Sequence, residues 1–164
     1  MPKEYVLREG KEFLLKSSSF ENGGIIPKKY TCEGEDINPQ LSWEGVEGAK
    51  SYALIMYDPD APVGTFIHWV LYNIPPNKKN IEEGVATREH VEGIGRHGKN
   101  DFGKFEYAGP CPPRGHGQHR YYFALHALNV EELGIKGKVD ASKLLNAIKG
   151  KVIGYGILMG KFSR

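Results

Sequence analysis

Two aspartates, two histidines and a tyrosine stand next to the stiffest loops of this chain, and side chains of those types can hold a small anion. The first group is Tyr57-Asp58-Pro59-Asp60-Ala61-Pro62, followed after Val63 to Ile67 by His68-Trp69-Val70. The second is the stretch Gly109-Pro110-Cys111-Pro112-Pro113-Arg114-Gly115-His116-Gly117-Gln118, which runs directly into His119-Arg120-Tyr121-Tyr122. Proline fixes φ and removes backbone donors, and glycine permits φ > 0 and close backbone approach, so the second loop is shaped rather than floppy. If the two stretches meet, carboxylates, imidazoles, a phenol and loop N–H groups converge on one cavity. Imidazole and phenol can donate hydrogen bonds, and successive loop N–H groups can form a nest for a phosphate or carboxylate. Asp58 accepting the N–H of a cavity histidine would favour imidazolium, so anion affinity is expected to rise as pH falls through a raised histidine pKa.

Other chemistries fit less well. His68, His116, His119, Cys111, Asp58 and Asp60 include metal-ligand types, but the paired CxxC or HxxxH units of structural zinc are missing, so no metal is expected. Gly93-Ile94-Gly95-Arg96-His97-Gly98-Lys99-Asn100 matches GxGxxG and nearly matches a P-loop, yet Lys99 to Phe105 shows no helical period. A phosphate-binding turn must open a helix, so no nucleotide is read into it. No GxSxG elbow or His-Glu-x-x-His occurs. His90, His97 and His126 are isolated and are expected to serve structure.

The elements that must position these groups are mostly strands. Ser51 to Tyr57 and Phe66 to Ile74 are buried-strand runs delivering polar residues at one end, and His119 to Leu128 alternates with His119, Tyr121, Phe123 and Leu125 on one face. Residues 3 to 16 read as one or two edge strands, Leu41-Ser42-Trp43 as a short strand, and Val152 to Met159 as a return to strand. Residues 77 to 104 form a polar stretch too long to be structureless without covering something. One helix stands out, with Asp140 as N-cap, Leu144, Leu145 and Ile148 on one side, and Gly150 as stop. Many short strands, 21 glycines and 10 prolines favour a mainly β fold. The expected architecture is an antiparallel Greek-key β-sandwich with one or two short helices near the C-terminus, in one domain spanning residues 1–164.

Bulk properties narrow the function classes. Twenty-two basic and 20 acidic residues give a net charge of +2, which leaves no broad nucleic-acid footprint. No signal-peptide core and no apolar run near the length of a membrane span are present, so a soluble cytoplasmic protein is expected. Cys32 and Cys111 are too few for a disulfide framework and, in a cytoplasmic chain, are expected to be reduced thiols. A cis peptide is expected at Ala61–Pro62, where a tight turn would place one.

Asp58-Pro-Asp-Ala-Pro62, His68-Trp69, Gly109-Pro110 and His119-Arg120-Tyr121 together resemble the phosphatidylethanolamine-binding protein family, which includes the Raf kinase inhibitor protein. The segment from Pro27 to Asp36, with Asn38-Pro39 and Leu41-Ser-Trp43, is similar to its bacterial and archaeal branch, so the resemblance covers about residues 18 to 161. It implies a cavity for phosphate-type anions lined by Asp58, His68, Gly109, Pro110, His119 and Tyr121, with Asp60, Pro62, Cys111 and Arg120 in support. It further implies a binding module without cofactor that regulates partners such as kinases or serine proteases, with a homodimer open. The competing class is a small metal-independent hydrolase using His119 and Asp58 as acid and base. The stretch between Pro62 and His68 is shorter than in animal members, and their C-terminal helix is not expected here, so neither their ligand preference nor their kinase surface is carried over.

Overall fold

The computed structural model describes residues 3–164 and is mainly β. Its strands are β1 (Lys11–Glu12), β2 (Leu15–Lys16), β3 (Leu41–Trp43), β4 (Ser51–Asp58), β5 (Phe66–Ile74), β6 (Asn80–Ile81), β7 (His90–Val91), β8 (Gly95–His97), β9 (His119–Leu128) and β10 (Val152–Phe162). A single α-helix, α1 (Ala141–Ile148), precedes β10, and a 3-10 turn covers Lys28–Tyr30. Seven strands form one sheet in the order β1-β10-β9-β4-β5-β8-β7, and β2-β3-β6 form a second. Between these strands every pairing is antiparallel except β1 with β10, which run parallel, so the wholly antiparallel expectation is corrected at that edge.

Period-two alternation explains how the large sheet is covered on both faces. From β4, Tyr52, Leu54 and Met56 join Trp69, Leu71, Phe123 and Leu125 in one core, which is shared with Leu15, Leu41, Trp43 and Ile81 of the small sheet. Ala53, Ile55 and Tyr57 point the other way, into a second core with Val70, Ala124 and the Ala141, Leu144, Leu145 and Ile148 face of α1. All eight residues of β4 are buried for this reason. The helix begins as its sequence directs: the Asp140 side chain accepts the Lys143 N–H at 2.8 Å, satisfying one of the donors a helix start leaves free.

Two local expectations are corrected. Among the described residues no peptide bond is cis, so Ala61–Pro62 is trans; the tight path through this turn is taken up instead around Gly64, with φ +107°. The cysteines are bridged: Cys32 and Cys111, with Cα atoms 5.4 Å apart, form a disulfide. Sequence distance hid their proximity. The Cys32 N–H donates to Pro110 O at 3.1 Å, and the Gly109 N–H donates to Asp36 Oδ1 at 2.7 Å, so one backbone and one side-chain hydrogen bond also hold the two segments side by side.

The bridge closes a loop across a sequence separation of 79, which in the chain-entropy picture stabilises the fold by about 4 kcal/mol. Replacing both cysteines with serine is expected to lower the unfolding free energy by that order and to raise the denaturant slope, because the unfolded chain released from the bridge exposes more surface. Urea titration followed by circular dichroism measures this, and a double variant as stable as the parent would show that the bridge constrains nothing the backbone bonds do not.

Candidate functional site

Antiparallel pairing decides where the polar residues gather. Tyr57 of β4 lies opposite Tyr122 of β9, and Asp58 lies opposite Phe66 of β5, so the C-terminal end of β4 adjoins the starts of both β5 and β9. Asp58, His68, His119 and Tyr121 are therefore delivered to one corner of the sheet. There they line a cavity of about 240 Å³ together with Ala61, Pro62, Val63, Phe66, Phe102, Cys111, Pro112 and Pro113.

The base of the cavity is a buried pair. Asp58 and His119 are 3% and 2% exposed, and the His119 Nδ1–H donates to Asp58 Oδ2 at 2.6 Å. Asp58 Oδ1 accepts the Asp60 N–H at 2.7 Å. Burial pushes the Asp58 carboxyl above its ordinary value, against the opposite pull of the His119 and Asp60 hydrogen bonds. His119 has a further partner on its other nitrogen, for His116 Nδ1 lies 2.6 Å from His119 Nε2. Tyr121 is raised by burial and then by the negative charges of Asp58 and Asp60, so its hydroxyl stays a donor.

His68 differs from the expectation of an imidazolium donor. Burial lowers its pKa to about 4 despite the pull of the nearby Ala108 carbonyl, so the ring is neutral at ordinary pH. Its Nδ1 sits 2.7 Å from Ala108 O and must carry the proton there, because a carbonyl can only accept. The opposite nitrogen, Nε2, is left as an acceptor. Aromatic contacts fix the ring, with Phe66, Tyr121 and Phe102 centroids at 5.1, 5.3 and 6.1 Å.

Asp60 braces the corner without entering the cavity lining. Its carboxylate accepts Arg120 Nε and Nη2 at 2.8 and 2.7 Å and the Arg120 backbone N–H at 2.9 Å, and this guanidinium holds its pKa below the ordinary value. Pro62 and Cys111 form wall. Gly109 and Pro110 lie outside the lining, where their backbone groups tie the loop to Asp36 and Cys32. An added Cβ at Gly109 would meet Tyr30 O at 2.1 Å, so the glycine is required by close backbone approach.

Sequence reasoning missed the apolar wall. Phe66 was within reach, since it lies two residues before His68 and period two puts both side chains on one side. Phe102 belongs to the long polar stretch, whose end does cover the site. Asp101 Oδ2 accepts the Ile67 N–H at 2.8 Å and Asn100 Oδ1 accepts the Phe102 N–H at 2.9 Å, folding this loop against β5. The glycine motif at 93 to 100 enters the β7–β8 hairpin and opens no helix.

Residues 16–163 match the phosphatidylethanolamine-binding protein family. The chain belongs to that family. A UPF0098 protein of Aquifex aeolicus is 48% identical over 149 residues, covering 90% of this chain and 86% of the relative. The crystal structure of a family homologue from Chlamydia trachomatis superposes with a TM-score of 0.83 at 37% identity, covering 94% and 99% of the two chains. Carboxypeptidase Y inhibitor, solved with its cognate proteinase, shares the fold alone, at a TM-score of 0.53 and 16% identity over 95% of this chain and 85% of the other. Among the described residues no helix is long and apolar enough to cross a membrane, and no His, Cys, Asp and Glu group is arranged to hold a metal.

The buried histidines, within the cavity and away from it, give this family member a pH signature. The His126 Nδ1–H faces Ala53 O at 3.3 Å while Nε2 accepts the Leu7 N–H, and burial lowers its pKa to about 4. His97, lowered by burial, accepts the Trp69 indole N–H at 2.9 Å and sits 2.8 Å from Arg88 O. Against an ordinary value of 6.5, the unfolded chain binds protons at His68 and His126 that the folded chain refuses down to about pH 4. Their stabilisation is full above about pH 6.5 and is lost between there and pH 4, on the order of 3 kcal/mol each. Asp58, raised by burial, works in the opposite sense but is a single group. Urea midpoints are expected to be flat above neutrality and to fall steeply below pH 6.5; equal stability at pH 7.5 and 4.5 would mean these rings are protonated in the fold.

Proposed function

We propose that this protein is a binding module whose corner cavity holds a small ligand with an anionic head and an apolar body, and that it regulates protein partners rather than turning over a substrate. The observation that carries this is the engagement of both His119 nitrogens, by Asp58 and His116, at the base of an otherwise apolar-walled cavity. A general base needs a free lone pair aimed at the reacting proton, and His119 offers none in this arrangement. The lining contains no serine or threonine, and its one cysteine is held in the bridge to Cys32. These features favour binding over a hydrolase built on His119 and Asp58, which would need His119 Nε2 released from His116 and water as its nucleophile.

Ligand character follows from the wall. Phe66, Phe102, Val63 and three prolines surround the polar base, so an alkyl or aryl group attached to the anion gains burial that a bare ion does not. Val63 and Phe102 are 90% and 52% exposed at this rim, an apolar edge fit to touch a protein partner beside the ligand. Kinases and serine proteases are the partner classes that the family resemblance brings forward, and a homodimer would use the same kind of edge. A cytoplasmic setting must be one in which the Cys32–Cys111 bridge persists, as it can in hyperthermophile interiors.

Calorimetric titration with butyl phosphate, inorganic phosphate and butylamine at pH 6 tests the ligand class. Two buried methylenes at about 0.8 kcal/mol each make butyl phosphate roughly tenfold tighter than phosphate. Butylamine binding more tightly than butyl phosphate would overturn the anionic head. For the catalytic alternative, hydrolysis of ester, phosphate or peptide substrates that disappears in a folded His119→Ala variant would make this an enzyme.

A further inference from the structure

We infer that His116 is a positioning residue that shares the proton of His119 and thereby sets the pH at which the cavity accepts an anion; the ligand half of this inference rests on the binding reading above. Asp58, His119 and His116 form a chain of two short hydrogen bonds, each 2.6 Å, running from a buried carboxylate to an exposed imidazole. His119 lines the apolar cavity and also a second, polar groove with His116, Gln118, Arg120, Lys161 and Asp60. One ring thus joins the buried site to the surface.

The proton count explains why the second histidine matters. A carboxylate accepts at His119 Nδ1, so that nitrogen keeps its hydrogen. Between His119 Nε2 and His116 Nδ1 there is room for a single proton. In the neutral pair it belongs to His116 Nδ1, and His119 Nε2 accepts. When a proton from solvent adds to His116 Nε2, the His116 Nδ1–H bond breaks and a His119 Nε2–H bond forms. His116 is left neutral with its proton on Nε2, and His119 becomes imidazolium beside Asp58. No hydrogen bond is lost, and one positive charge has moved from the exposed ring to the cavity wall. A second proton would leave two donors facing each other and break the contact.

The cavity lining holds no other source of positive charge. No lysine or arginine lines it, and His68 presents a neutral ring. An anion entering next to Asp58 would meet a carboxylate unless His119 is charged, so binding draws in the proton that His116 delivers. Of the surrounding charges, Arg120 is held by Asp60 and Arg114 by Glu33 at 3.5 Å, while Arg164, whose Nε donates to Pro112 O at 2.8 Å, keeps its charge and acts on Tyr121 from outside the lining. Lys161 lies in the outer groove, while Tyr121 and His68 face the inner side of His119.

Ring nitrogen NMR of the full chain across pH 5 to 9, in wild type and His116→Gln, reads this without any ligand. Glutamine can still bridge to His119 Nε2 but cannot carry the proton, so a merely structural His116 would be rescued. The expected result is coupled titration of the two rings in wild type and a His119 midpoint at least half a pH unit lower in the variant. Sulfate, whose charge is constant over this range, should then bind about threefold more weakly to His116→Gln at pH 7, converted from that half unit, with the two proteins converging at low pH. An unmoved His119 midpoint overturns proton sharing. A moved midpoint with no sulfate binding to either protein leaves the shared proton standing and overturns its link to an anion.

Discussion

A carboxylate that is 3% exposed has to be compensated where it sits, and Asp58 is compensated only because three strands end at the same corner. Its two oxygens need donors, and the sheet supplies one from the next turn, the Asp60 N–H, and one from the start of β9, the His119 ring. Leaving a buried charge without such partners costs several kcal/mol, so the β4–β9 register and the Asp58–His119 contact depend on each other. A one-residue slip of β9 would turn His119 to the opposite face and put Arg120 beside Asp58. The Asp60–Arg120 pair works against that slip, since it fixes the next residue of β9 on the outside.

The loop before β9 has no regular backbone pairing of its own and is held by separate anchors. Besides the Cys32–Cys111 bridge, the Tyr107 hydroxyl donates to Tyr30 O at 2.6 Å and the His116 N–H donates to Pro113 O at 3.1 Å. The segment from Pro27 to Asp36 therefore acts as the loop's outer support, with Asp36 held at φ +58° so that its side chain reaches the Gly109 N–H. Prolines shape the wall locally; long-range anchors decide where that wall stands.

Much of this corner was legible because strand alternation and chain order are local signals. β4, β5, β9 and α1 follow from runs that period and capping specify, and Asp58, His68 and His119 follow from polar residues placed at strand ends. The disulfide was not legible, because nothing local in residues 27 to 36 says that they will lie along Gly109 and Pro110. The parallel β1–β10 edge was hidden for a related reason: two-residue strands carry no period. Asp58 is assigned by sequence to an unspecified cavity histidine, and no partner is read for His68. Its actual partner, the Ala108 carbonyl, is a backbone atom that no side-chain pattern reveals. His116 was visible as a residue type, but its role depends on a turn that brings it back onto His119.

The electrostatic character of the site follows from what its walls can ionise. Sites built on arginine or lysine carry a permanent charge, and they bind anions over a wide pH range with strong dependence on salt. Here every ionisable group lining the cavity is an acid or an imidazole, and the only fixed charge is that of Asp58, which burial itself opposes. On the proposed reading, such a site is electrically neutral once the histidine pair has taken up one further proton and negative before that. Apolar walls strengthen that difference, because charges interact more strongly away from water than in it. If the proposed ligand binds here, the same Phe66, Phe102 and proline surfaces that favour its apolar body also sharpen discrimination by charge at its head, which would make affinity and proton uptake two expressions of one dry cavity.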